Sequence, residues 1–226
     1  MSGLSAIINK QKFEREFIYD GIALLNLTVE NFVVSIPARR GAEERINGRI
    51  NMQVMEFMRR AERELFPLAI ESYKEAVAGG YPVRPFEAML IYQVTYNENG
   101  TLSMYRDRYE YTGGAHGNTV RRSDTFSLES GRQLPLGSFF PRGVDYLKLI
   151  VENVLLQAEN NMSETPGIYF DDYPELIIKY FNPSSFYLTP DGIAIYYQQY
   201  EIAPYASGIP VFIVPYEELG IIRTHS

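Results

Sequence analysis

The 226-residue chain is 46% hydrophobic and 22% charged, enough apolar content for the core of one domain or two small ones and too much for disorder to be its main state. Its formal net charge of −7 argues against a nucleic-acid partner, because phosphate recognition needs a concentrated lysine and arginine surface. Cysteine is absent, which excludes disulfide frames and thiolate chemistry.

The first residues lack the apolar run of a signal peptide, and no stretch approaches the roughly 20 apolar residues that span a bilayer. The protein is expected outside the cytoplasm if an export segment precedes this chain, and in the cytoplasm otherwise. Leu25, Leu27 and Val29 alternate with polar residues, and Phe32, Val34 and Ile36 continue the period of two after a one-residue shift. The pattern predicts a strand, or a hairpin broken near Glu30 and Asn31, ending at Pro37. Arg39, Arg40, Arg45 and Arg49 are interleaved with glutamates and read as solvated charge around a helix start. From Glu43 the apolar positions Ile46, Ile50, Val54, Phe57, Ala61 and Leu65 recur at three and four, the period of a helix with one buried face. Pro67 is expected to bend or interrupt it, giving one bent helix or two, with a stop at Gly79-Gly80.

Strands are expected from Phe86 to Tyr96, from Leu102 to Tyr111 across the Asn97–Gly100 turn, and from Asn118 to Phe126. Helical spacing returns between Ser138 and Met162, with Val144, Leu147, Ile150 or Val151, Val154, Leu155 and Ala158 inward. Asp172 is expected to cap a shorter helix that buries Leu176, Ile177, Tyr180 and Phe181. A hairpin around Pro190-Asp191-Gly192, a last strand at Val211–Val214 and a helical turn at Pro215–Leu219 complete the order. The fold class is α+β, a mainly antiparallel sheet with helices packed on one face. A soft boundary at Gly79–Pro85 divides an N-terminal strand and long-helix subdomain, residues 1–80, from a C-terminal α+β domain, residues 81–226.

The most distinctive stretch runs from Tyr109 to Thr119. Gly113, Gly114 and Gly117 permit positive φ and close backbone approach between two strands, holding His116 at a tight connection. That histidine has the chemistry of a general base or a recognition group, while the structural alternative is a bulged hairpin that His116 stiffens locally. A phosphate loop is excluded, since neither Gly-Lys-Ser nor a following helix is present. The only histidines are His116 and His225, so no zinc spacing arises, and Asp171-Asp172 and Glu217-Glu218 form no calcium loop. No metal or other cofactor is called for. Glu110, Asp124 and Glu201 are the carboxylates available for acid–base work, and no Gly-x-Ser-x-Gly elbow offers a nucleophile.

A second stretch, Tyr196 to Pro210, carries tyrosines, Pro204 and Gly208 in what reads as an ordered loop with contact-forming side chains. The candidate binding residues are Tyr111, Thr112, Gly113, Gly114 and His116 from the first stretch and Glu201, Pro204 and Tyr205 from the second.

At these motifs, Tyr111–His116, Asp191-Gly192 and Tyr200–Gly208, the sequence resembles a bacterial domain family of unknown function found in the extracytoplasmic part of RsiV-like anti-sigma factors and in a peptidoglycan deacetylase. The resemblance runs from about Phe86 to Leu219, and Ile36-Pro37 with Ile46-Asn47 is similar to the companion domain that precedes it. It implies an α+β module at the cell envelope, binding a protein or cell-wall glycan; the charge and hydropathy already argue for no nucleic-acid partner and no membrane-spanning segment in this chain. The expectation is a noncatalytic recognition module rather than an enzyme. The alternatives are an enzyme acting on cell-wall carbohydrate, with His116 and Glu110, Asp124 or Glu201 as acid and base, and a structural or oligomer-forming protein.

Overall fold

The computed structural model describes residues 3–219. His225 lies outside them. The elements are β1 (Ile7–Tyr19), β2 (Ile22–Ser35), α1 (Arg40–Arg60), a π-helical turn (Ala61–Leu65), α2 (Phe66–Gly79), β3 (Phe86–Glu98), β4 (Thr101–Tyr111), β5 (Asn118–Ser127), α3 (Tyr146–Glu164), α4 (Tyr173–Tyr180), β6 (Phe186–Leu188), β7 (Gly192–Tyr196) and β8 (Val211–Pro215). The α+β class holds, with two sheets: a five-stranded one in the order β1-β2-β3-β4-β5 and a three-stranded one in the order β6-β7-β8. β1 with β2, β6 with β7 and β7 with β8 pair antiparallel, whereas β2 and β3 run parallel from Leu25↔Phe86 to Glu30↔Ile91.

Packing divides the chain into two units. One comprises Ile7–Gln93 and Arg106–Val120. The other comprises, among the described residues, 3–6, Val94–Tyr105 and 121–219. Strands β3, β4 and β5 contribute residues to both.

In the first unit, β1 has no counterpart in the sequence expectations. It is an edge strand with nearly every side chain at the surface, so no apolar alternation marks it. Of the two readings for Leu25–Ile36, the strand holds and the hairpin broken near Glu30 and Asn31 does not. Pairing with β1 continues in register past those residues, while the buried positions of β2 switch from Leu25, Leu27 and Val29 to Phe32 and Val34. The switch coincides with the end of the β2–β3 ladder, so the one-residue shift in the sequence marks a change of buried face within a continuous strand.

The helix that follows is continuous through Pro67. Its buried positions are Ala42, Ile46, Ile50, Gln53, Phe57, Ala61, Leu65 and Ala69. From Gln53 onward the spacing is four, and each such step overshoots a 3.6-residue turn by about 40°. The π-helical turn, with the Phe66 N–H donating to the Ala61 carbonyl, winds more slowly and takes up part of that drift. It also meets the proline, which has no N–H to donate. Gln53 was not expected inside; it accepts the Tyr92 hydroxyl at 2.9 Å. Gly80, at φ 69°, closes α2 in the left-handed conformation, as the Gly79-Gly80 stop implies.

Ile36 and Asn47 anchor the first turns of α1. The Ile36 N–H donates to the Glu43 carboxylate at 2.6 Å, and the Asn47 amide both accepts from and donates to the backbone of Val34, at 2.8 Å each way. The second unit repeats the device. Asn97 bridges the N–H and carbonyl of Ala6, and Gln198 those of Arg121. Each carboxamide stands in for a neighbouring strand and satisfies both backbone groups of one residue.

The second unit's core gathers Ile150, Val154 and Ala158 of α3, Ile177 of α4 and the inward residues of β6, β7 and β8 around Tyr197 and Phe212. Asp145 caps α3, accepting the Lys148 N–H. Asp172 begins α4, but its side chain makes no cap bond, and only Ile177 of the expected face is fully buried; Tyr180 lies at the surface. Leu147, expected inside, is also exposed. Ser103 ties β4 to β6, sharing a hydrogen bond with Thr125 at 2.7 Å and accepting the Leu188 N–H at 2.9 Å. The last turn forms at Pro215–Leu219 through the Glu218 and Leu219 N–H groups.

Candidate functional site

The glycine turn joins β4 to β5 inside the first unit. Gly113 and Gly114 adopt φ of 97° and 91°, conformations that side chains rarely take, which is why two consecutive glycines stand there. The Tyr111 hydroxyl reaches forward and donates to the Gly114 carbonyl at 3.2 Å. At Gly117 the ring of Tyr109 lies over the backbone, and a Cβ there would have to displace that side chain. His116 is exposed, and its Nδ1–H donates to the Gly117 carbonyl at 3.0 Å. Thr112 is exposed at the tip.

Beside the turn lies a cavity of about 300 Å³. Tyr111, Gly113 and Gly114 form one wall; Ala69, Ser72, Tyr73 and Ala76 of α2 form another; Pro82, Val83 and Arg84 close it. Its volume is at the lower end of the range for small-molecule pockets. Tyr73 and Arg84 escaped the sequence reading because the fold brings them to Tyr111 from distant positions, across the parallel β2–β3 crossover. No spacing rule signals such a meeting.

The carboxylates fall into different surroundings. Glu110, one residue before Tyr111, is gripped by Arg60: Nε and one terminal nitrogen donate to its two oxygens at 2.8 and 3.0 Å, and Arg108 approaches at 3.4 Å. The Arg60 guanidinium is held above its already high ordinary pKa, first by that hydrogen bond. Asp124 is buried and accepts from the Gln133 amide at 3.0 Å.

Glu201 belongs to the second unit, where its Oε2 accepts the Gln198 N–H at 2.6 Å. Burial pushes its carboxyl above the usual range, while the Gln198 N–H and the nearby Arg122 act in the opposite direction. Around it the Tyr200–Gly208 segment is ordered by local turns and by bonds to the stretch around Ile168–Phe170. Tyr200 adopts φ 66° and is half exposed, its ring stands 6.0 Å from that of Tyr205, Pro204 precedes a 3₁₀ turn at Tyr205–Ser207, and the Ser207 hydroxyl donates to the Ile168 carbonyl at 2.7 Å. The eight candidate residues thus divide between the two units: Tyr111, Thr112, Gly113, Gly114 and His116 in one, Glu201, Pro204 and Tyr205 in the other. Among the described residues no group of three or more His, Asp or Glu is placed to hold a metal ion, and no helix is long and apolar enough to cross a membrane.

Residues 26–119 match the family described as deacetylase PdaC, and residues 137–217 match the family described as a protein of unknown function, DUF3298. The chain joins a PdaC-like domain to a DUF3298 domain. The Tyr111–His116 turn and its cavity lie in the PdaC-like segment, apart from Leu24, and the Tyr200–Gly208 loop lies in the DUF3298 segment.

A relative of the chain is the peptidoglycan-N-acetylmuramic acid deacetylase PdaC of Bacillus subtilis, 26% identical over 115 residues. Those residues are 50% of this chain and 24% of the relative, so the chain matches only about a quarter of that protein's length. The fold of the whole PdaC-like and DUF3298 pair is shared with two solved DUF3298-family structures. The one from Bacteroides fragilis has a TM-score of 0.68 at 19% identity, covering 96% of this chain and 94% of that one. The one from Pseudomonas aeruginosa has a TM-score of 0.61 at 18% identity, covering 98% and 97%. The family context is the bacterial cell envelope. The match to a deacetylase family and to a named deacetylase overturns the expectation of a noncatalytic module rather than an enzyme.

Proposed function

We propose that this chain acts on cell-wall carbohydrate, holding an N-acetylated sugar in the cavity between Tyr73, Arg84, Tyr111 and the Gly113-Gly114 turn. The observation that carries the reading is the coincidence of three features in one segment: the positive-φ glycine turn, a cavity of about 300 Å³ beside it, and the likeness to the deacetylase PdaC family. The lining suits such a ligand. Tyrosine rings offer flat apolar faces to sugar C–H groups and hydroxyls to its oxygens, a guanidinium pairs with carboxylate, as on the lactyl group of muramic acid, and side-chain-free backbone at the turn admits close approach. Deacetylation adds the oxygen of water to the acetamide carbonyl carbon and breaks the C–N bond; acetate departs and the sugar amine takes up a proton.

The test combines acetate release from peptidoglycan fragments containing N-acetylmuramic acid with calorimetric binding of those fragments. Release is expected, with saturable binding that Tyr73→Ala, Arg84→Ala and Tyr111→Ala each weaken at least tenfold. Binding without acetate release sinks the enzymatic reading, and absence of both sinks the site.

A further inference from the structure

Strand β1 closes one side of the five-stranded sheet, and among the described strands nothing pairs with its outer edge. It is 13 residues long, Ile-Ile-Asn-Lys-Gln-Lys-Phe-Glu-Arg-Glu-Phe-Ile-Tyr, and nearly all of it is exposed. A long exposed edge is a template for another strand, and charged residues on such an edge ordinarily keep partners away. Here the order of the charges does the reverse. Around Phe13 the signs are mirrored: Lys12 and Lys10 precede it, Glu14 and Glu16 follow it at the same distances, and Ile8 and Ile18 stand outside them.

We propose that β1 pairs antiparallel with β1 of a second copy of this chain, about a twofold axis at Phe13, so that Lys12 faces Glu14 and Lys10 faces Glu16 of the other copy.

The register follows from symmetry. A twofold axis normal to the sheet keeps each face continuous, so a residue can oppose only one on the same face of its own strand. Centring on Phe13 places every charged residue of the even-numbered face against its opposite and joins Ile8 to Ile18. Moving the axis one residue toward the N-terminus sets Lys12 against its own copy; moving it one residue the other way does the same to Glu14. Like charges directly opposite are destabilising, so both neighbouring registers are disfavoured. Within one chain Lys12 already pairs with Glu14 at 2.8 Å and reaches Glu30 at 3.6 Å, so charges of both signs stand close together on the even-numbered face beside the axis.

The odd-numbered face contributes apolar contact. Phe13, 42% exposed, meets its own copy at the axis, beside an open concavity of about 490 Å³ lined by Phe13, Val29, Val54 and Met58 and by an equal number of polar residues. The pairing would extend the five-stranded sheet into a continuous ten-stranded one and satisfy the outward N–H and carbonyl groups of β1.

The test is sedimentation equilibrium of the full chain and of charge-reversed forms. The native chain is expected to dimerise. Lys10→Glu with Lys12→Glu, or Glu14→Lys with Glu16→Lys, should each weaken self-association at least a hundredfold, because every reversed position then opposes a like charge. Mixing those two variants should restore a dimer of one of each, and all four changes in one chain should restore the homodimer. Because the chain has no cysteine, Phe13→Cys supplies a sole thiol, expected to form a disulfide-linked dimer under mild oxidation. All these positions are exposed, and thermal unfolding monitored by circular dichroism checks that each variant folds. A native chain that stays monomeric to millimolar concentration overturns the proposal, as does a dimer indifferent to charge reversal or one the mixture fails to rescue.

Discussion

Replacing Arg60 with methionine removes the guanidinium that holds Glu110 while keeping most of the aliphatic stem. The pair comprises two charge-assisted hydrogen bonds between side chains 34% and 15% exposed, between the surface case, worth at most about 1 kcal/mol, and the buried one, where breaking a pair costs about 3–5 kcal/mol. Arg108, at 3.4 Å, and solvent recover part of the loss for the Glu110 carboxylate. The expected cost is about 2 kcal/mol for Arg60→Met and about 1 kcal/mol for Glu110→Gln, which keeps the shape and loses the charge. For a chain of this size 2 kcal/mol lowers Tm by about 4–8 °C. Urea denaturation is the assay, since guanidinium chloride would screen the interaction. With the double variant it completes a cycle whose coupling energy should be about 1 kcal/mol. A coupling below about 0.3 kcal/mol, or an Arg60→Met cost under about 0.5 kcal/mol, would refute the view that this pair fixes β4 to the helix and commits Glu110 to a structural role.

Two glycines should respond in opposite directions to alanine. At Gly192 the new Cβ would lie 2.8 Å from the Val214 carbonyl carbon and 3.0 Å from the Pro215 Cα, backbone that can yield only by parting β7 from β8, so a loss of about 3 kcal/mol is expected by urea denaturation. Gly48, exposed in the interior of α1 with open space around it, should gain about 1 kcal/mol in the same assay. Glu201 links stability to pH. Its folded-state pKa is raised by burial, so its contribution is fully present below the unfolded value and is lost as pH rises through the folded one. Stability curves from pH 3 to 8 should therefore show Glu201→Gln gaining on the native chain as pH increases; a difference that is flat or falls with pH would contradict the assignment.

Much of the fold was legible because its strands alternate cleanly and its turns carry the residues they need. The β3–β4 hairpin with Asn99-Gly100, the β6–β7 hairpin with Asp191-Gly192 and the helix stop at Gly80 all stand where local pattern put them. What escaped was nonlocal. Strand β1 has too little burial to print a period, and the parallel β2–β3 pair depends on a crossover that no short motif announces. Gln53 reads as a surface residue until Tyr92 is brought to it. At the candidate site the glycine turn was visible, since consecutive glycines between strands have few other uses. Tyr73 and Arg84 were not, because their meeting with Tyr111 is a product of tertiary structure. Glu110 shows the converse: a carboxylate suited to acid–base work in the sequence is an anchor in the fold.

The amide of Asn47 carries a chemical consequence of its own. It is followed by Gly48, the dipeptide in which a backbone nitrogen most readily attacks the side-chain carbonyl and, through a cyclic imide, leaves aspartate or isoaspartate behind. The native helix holds that nitrogen out of line, and both ends of the carboxamide are engaged with Val34. Should the reaction occur after unfolding, the resulting carboxylate would have no N–H to offer the Val34 carbonyl and would set a negative charge against it. Each excursion from the native state therefore risks a change that refolding cannot reverse, and this position ages with the time the molecule spends open.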